Sequence, residues 1–445
     1  MPTIAIRQPN LLIPGTSVHL PLWPVVACDQ YTSQPRYWQQ TEAHVGDQPS
    51  TLRLILPEIY LGAGDEQRIA AIHQAMHDVL RQGLLQEHRG CVLVERTTDG
   101  PHGPRTRYGV VAEVDLEAYD YRRGSTSLIR ATEGTILERL PPRVRVRQEA
   151  PLELPHIHLL IDDPAHAAIG PLAAQRQQFR PLYDIALMQG GGRVRGWAVT
   201  EQAEAGLWQA LQVLADPQPF AEQHHLSPQT PVLLFAVGDG NHSLATAKSV
   251  WETTRQGLLD QGVALQAVLD HPARWALVEV MNLHDPGLSF EPIHRVLFGV
   301  QEDPLAALQR DFGSAVTLSP LNAGELAQAV AQHRGHVVGL VTAQGSWIAE
   351  FAKPQQHLPV ATLQTWLDRW LAGGAAEHID YVHGAEVTLE LGQQPGHAGF
   401  LLPAMPKDEL FSTVALDGAL PRKTFSMGEP WEKRYYLECR RILPD

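Results

Sequence analysis

The chain predicts a mixed α/β fold, several mixed sheets with helices packed on them, and three observations carry that expectation. Apolar runs of strand length alternate with segments of helical periodicity from one end to the other. One continuous apolar run, Pro231–Val237, passes through a glycine turn straight into helix-forming sequence. Finally, 44% hydrophobic against 19% charged residues in a chain of 445 is enough apolar material for several cores.

Taken in order, residues 1–60 read as short extended pieces broken by proline. Residues 65–89 place Ile69, Ile72, Met76, Val79 and Leu80 at helical spacing. Asp65 and Glu66 sit in the first turn, where the helix dipole favours acids. Residues 91–115 read as a hairpin about the turn 99–104. Residues 125–150 are rich in Arg, Glu and Thr; after Arg139, the alternation of Arg143, Arg145 and Arg147 fits an exposed, salt-bridged β-ribbon. The pattern then gives a strand at 151–163, a helix over 165–189 that stops at Gly190-Gly191-Gly192, and a surface loop over 217–230. Beyond residue 300, helices over 303–313, 322–334 and 361–373 alternate with strands, the last near 379–391, 398–402 and 411–416. The expected division is an N-terminal mixed α/β domain at 1–150, a central domain at 151–300 and a C-terminal mixed α/β domain at 301–445.

Charge and cysteine usage narrow the function. Lys and Arg total 35 against 49 Asp and Glu, a net charge of −14 that argues against nucleic acid and anionic membrane partners. Cys28, Cys91 and Cys439 are far apart and form no CxxC, so neither a disulfide framework nor a zinc knuckle is readable. No apolar run reaches the length of a membrane span, and the start lacks a secretory pattern. The expectation is a cytoplasmic protein acting on a small molecule, and a homo-oligomer is compatible with it.

Chemistry concentrates in a few polar turns. In Gly238-Asp239-Gly240-Asn241-His242-Ser243 a buried strand meets a helix N-terminus, where free N–H groups and the dipole attract an anion. Gly238 and Gly240 allow close approach of a ligand, and Lys248 lies further along the helix. Asp239 or Asn241 could simply cap the helix and His242 could be a core histidine, yet so many polar side chains exceed what capping needs. The turn is neither a Walker loop nor a GxGxxG dinucleotide turn. Around residue 130, the Arg130 fork suits phosphate, and Glu133 between Thr132 and Thr135 suits a general base or a metal ligand. A Pro-bounded turn at Phe290–Arg295 puts His294 beside Arg295, a proton carrier beside an anion clamp. The late basic turn Leu420–Ser426 offers Lys423. Cys28 reads as a buried thiol, and His156 with His158 as structural histidines sharing a strand face.

In this order the segments resemble the uncharacterised prokaryotic family catalogued as domain of unknown function 1015. That family shows a PYDV-like turn, an HE-x-T segment followed by Arg, a strand–DGHHR–helix motif, an L-PTHR turn and a terminal P-x-K-S/T turn. Here Cys28-Asp29-Gln30-Tyr31 keeps only the Asp, and Thr132-Glu133-Gly134-Thr135 keeps Glu and Thr. Asp239-Gly240-Asn241-His242-Ser243 keeps Asp, Gly and the second His, while Glu291–Arg295 keeps Pro, His and Arg, and Pro421–Thr424 keeps the last motif. The DGHHR turn in turn resembles the phosphate-binding turn of the ParB/sulfiredoxin-like superfamily, which includes kinases of free serine. The resemblance implies a strand–turn–helix core that cradles nucleotide phosphates, with a carboxylate base and Mg²⁺.

The resulting expectation is a phosphotransferase that moves phosphate between ATP or ADP and a small, serine-like hydroxyl metabolite. Asp239 would hold Mg²⁺, Glu133, Asp239, His242 and His294 would do the chemistry, and Gly238, Gly240, Asn241, Ser243, Lys248, Arg130, Arg295 and Lys423 would bind the nucleotide. Asp239 beside a phosphate needs a cation between them, and Mg²⁺, Lys248 and Arg130 are the candidates. A phosphoester hydrolase and a non-catalytic phospho-ligand-binding protein are the rival readings.

Overall fold

The computed structural model describes residues 4–444 apart from 63, 101–102, 123 and 136–139. Arg139 therefore lies outside the described residues. The chain forms two compact units: residues 1–288 with 414–419 and 428–445, and residues 289–413 with 420–427. The expected boundary at 150 falls inside the first unit, whose main sheet draws strands from both sides of it; the boundary at 300 falls near the start of the second, at Ser289.

Mixed α/β is the fold class of both units. The first is built on a ten-stranded mixed sheet. Its strands run in the order Arg180–Ala186, Arg193–Ala198, Val92–Gly100, Gly103–Asp115, Trp275–Asn282, His158–Ile161, Phe235–Asp239, Ile129–Ala131, Tyr119–Asp120, and Ile6–Arg7 pairs with Gly103–Asp115. The period of two in strand side chains divides the core. Val92 and Val94 join a cluster with Trp23, Trp38 and Met76, while Leu93 joins another with Leu244, Ala247 and Trp251 of the long helix Asn241–Asp260. Among the described residues, no helix is long and apolar enough to cross a membrane.

In the second unit a seven-stranded sheet is centred on Phe290–Phe298 and His397–Leu401. The helix Pro359–Ala372 stacks Trp366 on Trp370, and Trp366 meets Phe400 edge-on.

Several elements depart from the sequence reading, each for a local reason. The arginine-rich stretch is a helix, Leu140–Gln148, not a ribbon; Pro141 and Pro142 stand at its start, where missing N–H groups cost nothing. Residues 217–230 begin as a helix, Pro217–His224, because Asp216 caps it and Pro217 opens it. The expected helix over 165–189 shrinks to Gly170–Gln175, and Arg180–Ala186 becomes an edge strand. Residues 409–417 form a helix instead of a strand, with Leu410 and Val414 at i, i+4 spacing. Phe290–Arg295 is not a turn but the start of the strand Phe290–Phe298.

A buried ionic cluster lies within the first unit's sheet. Glu279, 1% exposed, accepts from Arg107 Nη1 at 2.6 Å and from Arg434, and His158 Nε2 stands 3.6 Å away. Arg434 also bonds Glu438 at 2.5 Å, and Glu438 accepts from the Tyr183 hydroxyl. Burial would raise the Glu279 carboxyl, but Arg107 and Arg434 hold it well below the usual range. Gly109 makes room: a Cβ there would lie 2.3 Å from Glu279 Oε1. Replacing Glu279 by Ala takes the carboxylate from buried Arg107 and leaves Arg434 with Glu438 alone. The expected loss is about 3–5 kcal/mol, read as a lower urea midpoint; an unchanged midpoint would show that the cluster contributes nothing.

Candidate functional site

The glycine turn forms as its composition predicts. The strand Phe235–Asp239 ends in a register shift between Val237 and Asp239, a bulge that re-aims the carboxylate. Gly240 then takes φ +79° and the helix begins at Asn241. A side chain at Gly240 would be strained, and its Cβ would press on Ile157 Cα at 3.0 Å. The N-cap is Gly240, which has no side chain to cap the helix, and the first N–H groups have no intrahelical partner. Among the described residues, Asn241 Oδ1 is buried without a hydrogen-bond partner.

Topology gathers other polar groups at the same sheet edge. Ile129–Ala131 runs parallel to the turn's strand, with Ala131 opposite Val237, so Thr132 and Glu133 leave the sheet on the side where Gly238–Gly240 does. Thr132 Oγ1 donates to the Val237 carbonyl at 2.5 Å, tying the two segments together. Glu133 is half-buried. His158 lies opposite Asp239 on the antiparallel neighbour.

The cation beside Asp239 is one the sequence reading missed. Lys433 Nζ stands 3.1 Å from Asp239 Oδ2, with the lysine 8% and the aspartate 21% exposed. Burial works to raise the Asp239 carboxyl, but Lys433, with His158 and His156, outweighs it and holds the group at about 2. The expected candidates are engaged elsewhere. Lys248 pairs with Glu252 at 3.3 Å. Arg130 is buried and donates to the carbonyls of Ser127, Pro231 and Val232, and burial lowers its pKa to about 10.

His156, a structural histidine by its sequence pattern, stands at the helix entrance. Its Nε2 shares a hydrogen bond with Ser243 Oγ at 2.9 Å and its Nδ1 one with the Tyr436 hydroxyl at 2.8 Å. Asp29 Oδ2 lies 3.8 Å from the same ring. Cys28 donates its backbone N–H to Tyr436 at 3.1 Å, and burial, then Asp29 and Glu58, pushes its thiol up. No sequence signal ties Lys433 or Tyr436 to the glycine turn. His242 sits in the first helical turn, where its carbonyl accepts from Thr246 at 2.7 Å.

His294, Arg295 and Lys423 belong to the second unit. His294 is 3% exposed; its Nδ1 accepts from the Leu402 N–H at 3.1 Å, and burial, then Arg295, lowers its pKa to about 4. Arg295 is fully buried and donates to Gln364 Oε1 and to the carbonyls of Ile293, Arg422 and Lys423. Both side chains thus brace strand and turn. Lys423 is exposed, at φ +55°. Among the described residues, no group of three or more His, Cys, Asp and Glu is placed to hold a metal ion.

A family model described as "Protein of unknown function (DUF1015)" matches residues 12–370. No curated protein matches the chain. Among solved structures, a free serine kinase variant in complex with AMP is similar at 10% identity and a TM-score of 0.38, over 75% of this chain and 92% of that one. A variant of a free serine kinase in complex with ADP gives the same figures. SbnI with a C-terminal truncation, from Staphylococcus aureus, is similar at 8% identity and a TM-score of 0.37, over 75% of this chain and 87% of that one.

The Asp239–Lys433 pair fixes a pH signature. A carboxylate at about 2 in the folded state and about 3.9 unfolded contributes about 2–3 kcal/mol. That contribution is complete above the unfolded value and lost as the pH falls toward the folded one. Urea midpoints of the chain and of Asp239→Asn should therefore differ at pH 6 and draw together below about pH 4. A difference that does not change with pH would contradict the pairing.

Proposed function

The chain belongs to the DUF1015 family, and from that premise we propose that it transfers a phosphoryl group between a nucleotide, ATP or ADP, and the hydroxyl of a small metabolite. The observation that carries the reading is the uncapped helix entrance at Gly240–Asn241, set beside an ionised Asp239 and the ammonium of Lys433. Backbone N–H groups and the helix dipole suit phosphate oxygens. Lys433 supplies the positive charge that keeps Asp239 from repelling them.

The residues at the entrance also suit a hard cation. Asp239 is ionised at neutral pH, and Asn241 Oδ1 is a buried oxygen without a partner among the described residues. Mg²⁺ prefers one or two protein oxygens together with substrate phosphates to a closed protein cage. When bound by Asp239, it neutralises charge on the transferring group.

The protein's own part is positioning and proton transfer. The acceptor oxygen forms the new bond to phosphorus, the bond to the nucleotide oxygen breaks with its electron pair, and Glu133 takes the acceptor's proton. The backbone N–H groups of His242 and Ser243, in the first helical turn, orient the phosphates. The serine-like acceptor implied by the motif resemblance is the first to test.

Incubation with Mg²⁺, ATP or ADP, and serine should yield a phosphomonoester signal in ³¹P NMR. Glu133→Gln should slow it about 100-fold or more, with nucleotide affinity little changed. Phosphate release without nucleotide consumption would support the hydrolase instead, and nucleotide binding without turnover on any hydroxyl metabolite would support a sensor.

A further inference from the structure

Ser243 and Thr246, near the start of the helix Asn241–Asp260, form part of the wall of a cavity of about 140 Å³ in the first unit. The rest of the wall is mainly aliphatic, from Leu54, Leu56, Met76, Val146, Ile157 and Leu277. A cavity of this size and lining accepts a benzene-sized apolar body.

One part of the wall is polar. His156 is held between Tyr436 at 2.8 Å and Ser243 at 2.9 Å. A serine hydroxyl has one donor and two lone pairs, and the bond to His156 uses only one of these. Capacity is left for a ligand hydroxyl. The charged groups on the wall are matched among themselves: Glu58 with Arg143, and Glu153 with Arg147 at 2.5 Å. A charged ligand would have to compete with these pairs for a counter-ion. A free amino acid is disfavoured by the same reasoning, since its ammonium and carboxylate would both lose water.

We propose that this cavity is a binding site for a neutral alcohol with a benzene-sized apolar body, its hydroxyl meeting Ser243 beside His156. The proposal rests on the cavity's shape and chemistry and does not depend on phosphoryl transfer.

Calorimetric titration of the full chain, without nucleotide, with benzyl alcohol, toluene, benzoate and serine tests it. Benzyl alcohol should saturate at one site, with benzoate and serine about tenfold weaker or worse. Ser243→Ala should weaken benzyl alcohol about threefold or more and leave toluene unchanged. Val146→Trp, or Met76→Phe should the first fail to fold by circular dichroism, should weaken both by taking up part of the space. Absence of saturable binding to the unaltered chain, benzoate or serine binding as tightly as benzyl alcohol, or full affinity in the filled variants would overturn the site. Equal effects of Ser243→Ala on benzyl alcohol and toluene would overturn the hydroxyl contact.

Discussion

Charge balance inside the first unit is the constraint on which the rest depends. Glu279, Arg107, Arg434 and Glu438 are all buried and ion-paired, two of each sign. A lone buried charge costs several kcal/mol, about 3–5 when one partner of a pair is removed. Two of these four groups, Arg434 and Glu438, come from the C-terminal segment, and its docking gives Glu279 a second guanidinium and Arg434 a second carboxylate. The same segment is fastened elsewhere: Arg440 binds Glu153 at 2.7 Å, Tyr436 N–H bonds the Val25 carbonyl at 2.9 Å, and Leu437 accepts from Trp23 Nε1 at 2.9 Å.

That docking also builds the candidate site. Lys433 and Tyr436 flank Arg434 in sequence, and the contacts that neutralise Glu279 bring one to Asp239 and the other to His156. Stability and site chemistry therefore share one piece of chain. Lys433 lies beyond the stretch matched by the family model, residues 12–370.

What the sequence made legible was local. The strand, the glycine turn and the helix from Asn241 follow from an apolar run and a φ that glycine supplies cheaply, and adjacent residues carry both signals. The motif order likewise pointed to Glu133 and Asp239, which parallel strands bring to one sheet edge. The arginine helix was illegible for the opposite reason: Arg143, Arg145 and Arg147 alternate like a strand, but the partners of the first two, Glu58 and Asp65, are distant in the chain, and only Glu153, which pairs with Arg147, is near. Lys433 is the same case. Nothing in its neighbours names Asp239; only the tertiary path of the last segment does. Arg130 shows the converse, since a phosphate-like fork can be consumed by main-chain carbonyls that no spacing rule anticipates.

In the proposed function the helix entrance, with Lys433 beside Asp239, receives the phosphates of a nucleotide. Calorimetry of ADP with the unaltered chain and with Lys433→Met, at one salt concentration and with Mg²⁺ present, tests it most directly. Measurable affinity that falls about tenfold or more in the variant, with the fold intact by circular dichroism, is the predicted result. No binding to the unaltered chain, or equal affinity in both proteins, would contradict it.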